Sequence, residues 1–90
     1  MSEKVHEHRV LIANDEAFLL CGYENVLVDH FEVETAQNGY QALQMVSSNP
    51  PDYYDAVILD INMPIMDGFE ACLLIDQDLR QRNQHMAYKT

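Results

Sequence analysis

Residues 59–71 read LDINMPIMDGFEA, and the fold can be worked outward from them. The apolar run DAVILD (55–60) stops at Asp60. It is the most apolar of three candidate strands and reads as buried on both faces. A carboxylate at its end therefore needs a reason. A Met63-Pro64 turn follows, and residues 61–66 are a loop. Asp67 then caps the next helix, with its carboxylate facing amides that lack a helical partner. Phe69, Ala71, Cys72, Ile75 and Leu79 continue that helix. QDLRQRNQH (77–85) is its polar last stretch, and MAYKT (86–90) leaves it.

Upstream, RVLIA (9–13) is a short apolar run that suits a strand covered on both faces. It ends at Asn14-Asp15-Glu16, where helix-start signals begin. Leu19, Tyr23, Val26, Leu27 and His30 recur at helical spacing and predict an amphipathic stripe. FEVETA (31–36) alternates apolar and polar, so it reads as a second strand nearer a sheet edge. Asn38-Gly39 is a turn into a second helix, whose face is Ala42, Leu43 and Val46. Asn49-Pro50-Pro51 stops that helix, because proline cannot continue it. Tyr53 and Tyr54 are expected to cover the start of the third strand. The chain shows no repeat, low-complexity tract or domain linker.

Strand and helix thus alternate three times, which predicts an α/β fold of parallel strands joined by right-handed crossovers. In open sheets of this kind ligands sit beyond the carboxyl ends of the strands, where strand order reverses. Asp15 follows the first strand and Asp60 ends the third. In a 2-1-3 order those strands are neighbours, and both carboxylates converge on one crevice.

Composition bounds the function. The chain has 90 residues, 48% hydrophobic, which allows one domain with a modest core. Acidic residues outnumber basic ones 15 to 5, which argues against a nucleic-acid-binding surface. No apolar run approaches a membrane span, and the charged start MSEKVHEHR has no signal core. Cys21 and Cys72 lack metal or redox spacing. They are expected to be reduced, buried or half-buried thiols of a cytosolic protein.

The chain resembles a receiver domain of the response-regulator family from about Arg9 to its end. VLIANDE (10–16) is similar to the family's acidic first loop, and AQNGYQAL (36–43) to the turn into its second helix. YDAVILDINMPIMDGFEA (54–71) is similar to the stretch around its phosphorylated aspartate, and is the most specific of the three. The resemblance implies a flavodoxin-like fold with sheet order 2-1-3. It implies Asp60 as phosphoryl acceptor, and Asp15, Asp60 and the main-chain carbonyl of Asn62 as magnesium ligands. Met63-Pro64 would shape the loop, and Gly68 would open the third helix. The implied partner is a histidine kinase or histidine phosphotransfer protein, which carries the donor phosphohistidine. The residue types suit this chemistry. A carboxylate is a competent nucleophile toward phosphorus, and a divalent cation offsets the repulsion between the two anions.

Two departures stand out. Where the family usually has an acidic pair, the first loop has Asn14-Asp15. Asn14 can orient a metal-bound water through its carbonyl oxygen but brings no charge, so weaker magnesium binding is expected. The family fold also has five strands and five helices, whereas this sequence supplies three of each, with strands four and five absent. The family's phosphate-contacting hydroxyl residue and its lysine belong to that part. Lys89-Thr90 stands in the wrong order and place to replace them. Residues 1–8 read as a tail and 9–90 as a partial receiver. Strand three should then be an exposed apolar edge. The chain alone is expected to be marginally stable, to self-associate, or to be a fragment.

The remaining motifs have plain readings. His6 and His8 lack a third ligand and read as solvated tail. His30 and His85 are single residues near helix ends, and Met45, Met63, Met66 and Met86 share no stripe. One competing function is a degenerate receiver that serves only as an interaction surface. Another is a haloacid-dehalogenase-type phosphohydrolase, which needs a second Asp where Asn62 stands. A calcium loop fails because Pro64 occupies a ligand position.

Overall fold

The computed structural model describes residues 8–82. The elements run β1 (Arg9–Ala13), α1 (Ala17–Leu27), β2 (Glu32–Ala36), α2 (Gly39–Ser47), β3 (Ala56–Leu59) and α3 (Gly68–Arg82). His6, His85, Met86, Lys89 and Thr90 lie outside the described residues. The sheet is parallel, as the alternation of strands and helices predicts, and its order is β2-β1-β3, as the family resemblance implies. Leu11 of β1 pairs with Glu34 on one side and Val57 on the other. The central strand is accordingly the most buried, with Val10, Leu11, Ile12 and Ala13 all inside.

The first crossover runs from β1 out to β2 and the second runs back from β2 past β1 to β3, which puts α1 and α2 on opposite faces of the sheet. On one face Leu11 and Ala13 join Ala36, Ala42, Val46, Met63, Ala71 and Ile75 in the core. Ala42 and Ala71 are completely buried, and their small size lets α2 and α3 pack closely. Met45 and Met66 pack against this cluster from its margin. Helix α2 is capped by Asn38, whose Oδ1 accepts the Gln41 amide at 2.7 Å. Helix α3 is capped by Asp67, whose Oδ1 accepts the Glu70 amide at 2.8 Å. At the far end, Arg82 donates to the carbonyls of Asn49 at 2.6 Å and Val46 at 2.9 Å. It thereby ties the end of α3 to the carboxyl end of α2 and the turn that follows it.

On the other face α1 is the one helix among the described residues, and this corrects the predicted stripe. Leu20 is the α1 residue that reaches the core. Leu27 is half-buried, while Leu19, Tyr23, Val26 and His30 are exposed. The stripe has the right period, but a single helix covers only part of a sheet face. Cys21 and Cys72 are exposed free thiols, contrary to the expectation of burial. Each follows a residue that points inward, Leu20 and Ala71, and so turns away from the sheet.

Strand β3 is likewise not covered on both faces. Val57 and Leu59 are half-buried toward the core, while Ala56 and Ile58 are exposed. It is an edge strand among the described residues, as the 2-1-3 order predicts. Its start is tied down by Glu34 of β2, which accepts from Tyr54 at 2.6 Å and Tyr53 at 3.1 Å. The Arg9 guanidinium lies over the Tyr53 ring, 4.0 Å from its centroid. His8 is exposed, with Nδ1 3.5 Å from the Asp55 carboxylate.

Candidate functional site

The carboxyl ends of β1 and β3 lie side by side, with Ala13 paired to Leu59. One residue further on, the Asp60 amide donates to the Ala13 carbonyl at 3.0 Å. Asp60 is therefore seated beside the chain that continues into Asn14 and Asp15. The Asn14 amide donates to the Ala36 carbonyl at 3.0 Å, extending the ladder on the β2 side. The Asn14 side chain is buried, and its Oδ1 accepts the Glu16 amide at 2.9 Å. This tight local turn leaves Asp15 exposed at the rim. Asp60 is half-buried.

Beside Asp60 lies an open cleft of about 310 Å³, lined by Ile12, Tyr23, Leu27 and Ile58 and closed at one end by Asn14 and Asp60. Its wall is mostly apolar, with the carboxamide and carboxylate at the strand ends.

The loop after Asp60 is fixed by its backbone. Asn62 and Pro64 are exposed, while Met63 is buried and pins the loop to the core. The Met66 amide donates to the Pro64 carbonyl at 2.7 Å, a three-residue turn centred on Ile65. Ile65 has φ 71°, the one non-glycine residue with positive φ among the described residues. The Gly68 amide donates to the Ile61 carbonyl at 3.1 Å and closes the loop. A Cβ at Gly68 would overlap the Asp60 carbonyl. A glycine is needed there because α3 starts directly against the main chain of Asp60.

No group of three or more His, Cys, Asp or Glu side chains among the described residues is arranged to hold a metal ion. A closed site of the zinc type is therefore not built from those side chains. The donors that the resemblance assigns to the site are the carboxylates of Asp15 and Asp60, which follow β1 and β3, and the carbonyl of Asn62 in the loop after β3. They are few, hard and oxygen-based. That set fits magnesium, which takes one or two carboxylates and keeps water or phosphate oxygens as its other ligands. No helix among the described residues is long and apolar enough to cross a membrane.

An open parallel sheet with carboxylates at the ends of adjacent strands defines a flavodoxin-like α/β domain. The family profile of the response regulator receiver domain matches residues 10–87. The chain belongs to that family. It is 42% identical over 69 residues to the transcriptional regulatory protein PrrA of Mycobacterium tuberculosis, covering 76% of this chain and 28% of PrrA. It is 42% identical over 72 residues to the chemotaxis protein CheY of Bacillus subtilis, covering 78% of this chain and 58% of CheY. Among solved structures it resembles a CheX–CheY–BeF3–Mg complex from Borrelia burgdorferi. The TM-score is 0.71 at 26% identity, over 88% of this chain and 57% of the other. The chain thus matches little more than a quarter of PrrA and somewhat over half of CheY.

Proposed function

We propose that this receiver domain accepts a phosphoryl group on Asp60 from a phosphohistidine of a histidine kinase or histidine phosphotransfer protein. The observation that supports this reading is the bond from the Asp60 amide to the Ala13 carbonyl, which carries β3 one residue past Leu59 to a cleft that Asp60 shares with Asn14. An Asp60 oxygen attacks phosphorus, an O–P bond forms, and the P–N bond to the partner's imidazole breaks. The imidazole leaves with the electron pair and takes up a proton. Asp60 ends as a mixed anhydride. Magnesium, when bound, supplies the positive charge that lets two anions meet. Asp15, Asp60 and the Asn62 carbonyl would hold the ion, while Asn14 shapes the turn that carries Asp15. Met63, Pro64 and Gly68 keep the loop in register. The domain is a signalling acceptor, at most catalysing its own phosphorylation, and works in the cytoplasm as residues 9–90 of a receiver unit.

A second reading, an interaction module that takes no phosphate, is favoured by one observation. The buried position beside Asp15 holds a neutral Asn14 whose oxygen already accepts an amide. Titration with beryllofluoride and magnesium, followed by amide NMR, separates the two. Shifts focused on residues 14–15 and 60–62 support the acceptor. A folded chain whose spectrum does not move supports the interaction module.

A further inference from the structure

The start of α2 touches the acceptor loop at Gly39. Its amide donates to the Met66 carbonyl at 3.0 Å. Gly39 has no positive φ, so glycine is not there for its backbone freedom. What the position uses is the missing side chain. A Cβ at Gly39 would overlap the Met66 carbonyl oxygen. It would also stand 2.9 Å from the Ala71 Cβ and 3.0 Å from the Asp67 carbonyl oxygen. Those neighbours are backbone or a buried methyl, and none can swing away.

The loop needs such a hold. Ile65 is β-branched at φ 71°, a region that costs such residues energy and persists only where the surroundings enforce it. Its side chain is 81% exposed and makes no packing that would enforce the turn. The enforcement comes from either side, through Met63 in the core and Met66 against Gly39. One of the amides that α2 leaves unpaired at its start is thus spent on the loop.

We infer that Gly39 is a positioning residue for the acceptor site, with the amide end of α2 acting as the stop that holds the strained turn at Ile65, and through it Asn62 and Asp60, in place. The consequence for metal binding rests on the acceptor reading above, whereas the consequence for loop conformation does not.

Gly22 provides the control, because a Cβ there meets nothing within 4 Å. Gly39→Ala and Gly22→Ala are compared with the parent chain by amide and carbonyl NMR shifts, and by calorimetric titration with magnesium alone. Gly39→Ala is expected to shift residues 60–67 while the β1–β2 ladder stays unchanged. It is also expected to weaken magnesium binding about tenfold, the size of effect that loss of a supporting contact around a metal site brings. Gly22→Ala should change neither. If Gly39→Ala leaves residues 60–62 in place, the inference is overturned. If the loop shifts but the parent binds no magnesium, the metal reading of the site fails and the positioning role stands. If Gly39→Ala does not fold, hydrogen exchange in the parent decides. The amides of Gly39 and Gly68 should then open together, with protection within about threefold. Independent opening of Gly39 would overturn the inference.

Discussion

The amide of Asp60 donates to the carbonyl of Ala13 at 3.0 Å. This bond extends the β1–β3 pairing by one rung past Leu59, and it explains why an acidic residue ends the most apolar strand. The carboxylate is carried on a rigid element to the edge of the buried region. There Asp60 shares a cleft with Asn14 at the end of β1. A site built on strand ends is more tightly placed than one built on loops alone.

Asn14→Asp tests the electrostatics of that crevice. An aspartate keeps the oxygen that accepts the Glu16 amide, so the turn survives. It also adds a charge at a buried position beside Asp15 and Asp60. Without metal the variant should be less stable by about 1–2 kcal/mol, from burial and like-charge repulsion. With magnesium it should bind about three- to tenfold tighter. Urea unfolding and calorimetric titration check the two halves. An unchanged affinity removes the account of Asn14 as a weakening substitution.

Tyr54 sets an alkaline limit. Burial, and then its hydrogen bond to Glu34, push its hydroxyl well above the ordinary value of 10. Tyr53 is raised as well, first by its bond to Glu34. A group whose folded pKa is raised gives stability that is complete below its unfolded pKa and is lost as pH rises toward the folded value. Stability should therefore fall above about pH 10. Tyr54→Phe should be less stable at neutral pH and flatter in that alkaline window. Urea midpoints from about pH 8 to about pH 11 measure the slope. Equal slopes in the two chains would dissociate Tyr54 from it.

Arg82 closes the α2–α3 layer by donating to Asn49 and Val46 while pairing with Asp78. Arg82→Met keeps the stem and removes the fork. It should cost about 1–2 kcal/mol by urea unfolding. Arg82→Lys should restore less than half of that, because an ammonium cannot serve both carbonyls and the carboxylate in one plane. Full rescue by lysine would mean that charge at the helix end, rather than the fork, carries the effect.

Strand β3 carries Ile58 half-exposed on an edge with no partner strand among the described residues. Such edges pair with other chains. Sedimentation of the 90-residue chain should show a mass that rises with concentration. Ile58→Lys should return it toward the monomer. A concentration-independent monomer in the parent would contradict the expectation of self-association.

The order 2-1-3 came with the family resemblance, while the strands, their alternation with helices and the Asp67 cap could be read from the sequence itself. Each depends on local pattern, with an apolar run, a capping residue or a proline marking every boundary. The contacts across the fold could not. Glu34 looks like one polar position of an alternating strand, yet it joins β2 to both tyrosines ahead of β3. Arg82 reads as a polar helix end and closes α2. Gly39 reads as a turn residue, and its contact with Met66 depends on where another loop returns. The exposure of Val26, Cys21 and Cys72 follows from which helix faces meet the sheet, which periodicity alone leaves open. Ile65 carried no signal, since isoleucine is among the residues least expected at positive φ.

The most direct test is the intact mass of the chain after incubation with a small acyl phosphate, with and without magnesium, beside Asp60→Asn. The account predicts a gain of one phosphoryl group that requires magnesium and is absent from the variant. A folded parent chain that gains nothing, or an Asp60→Asn chain that gains as much, would contradict it.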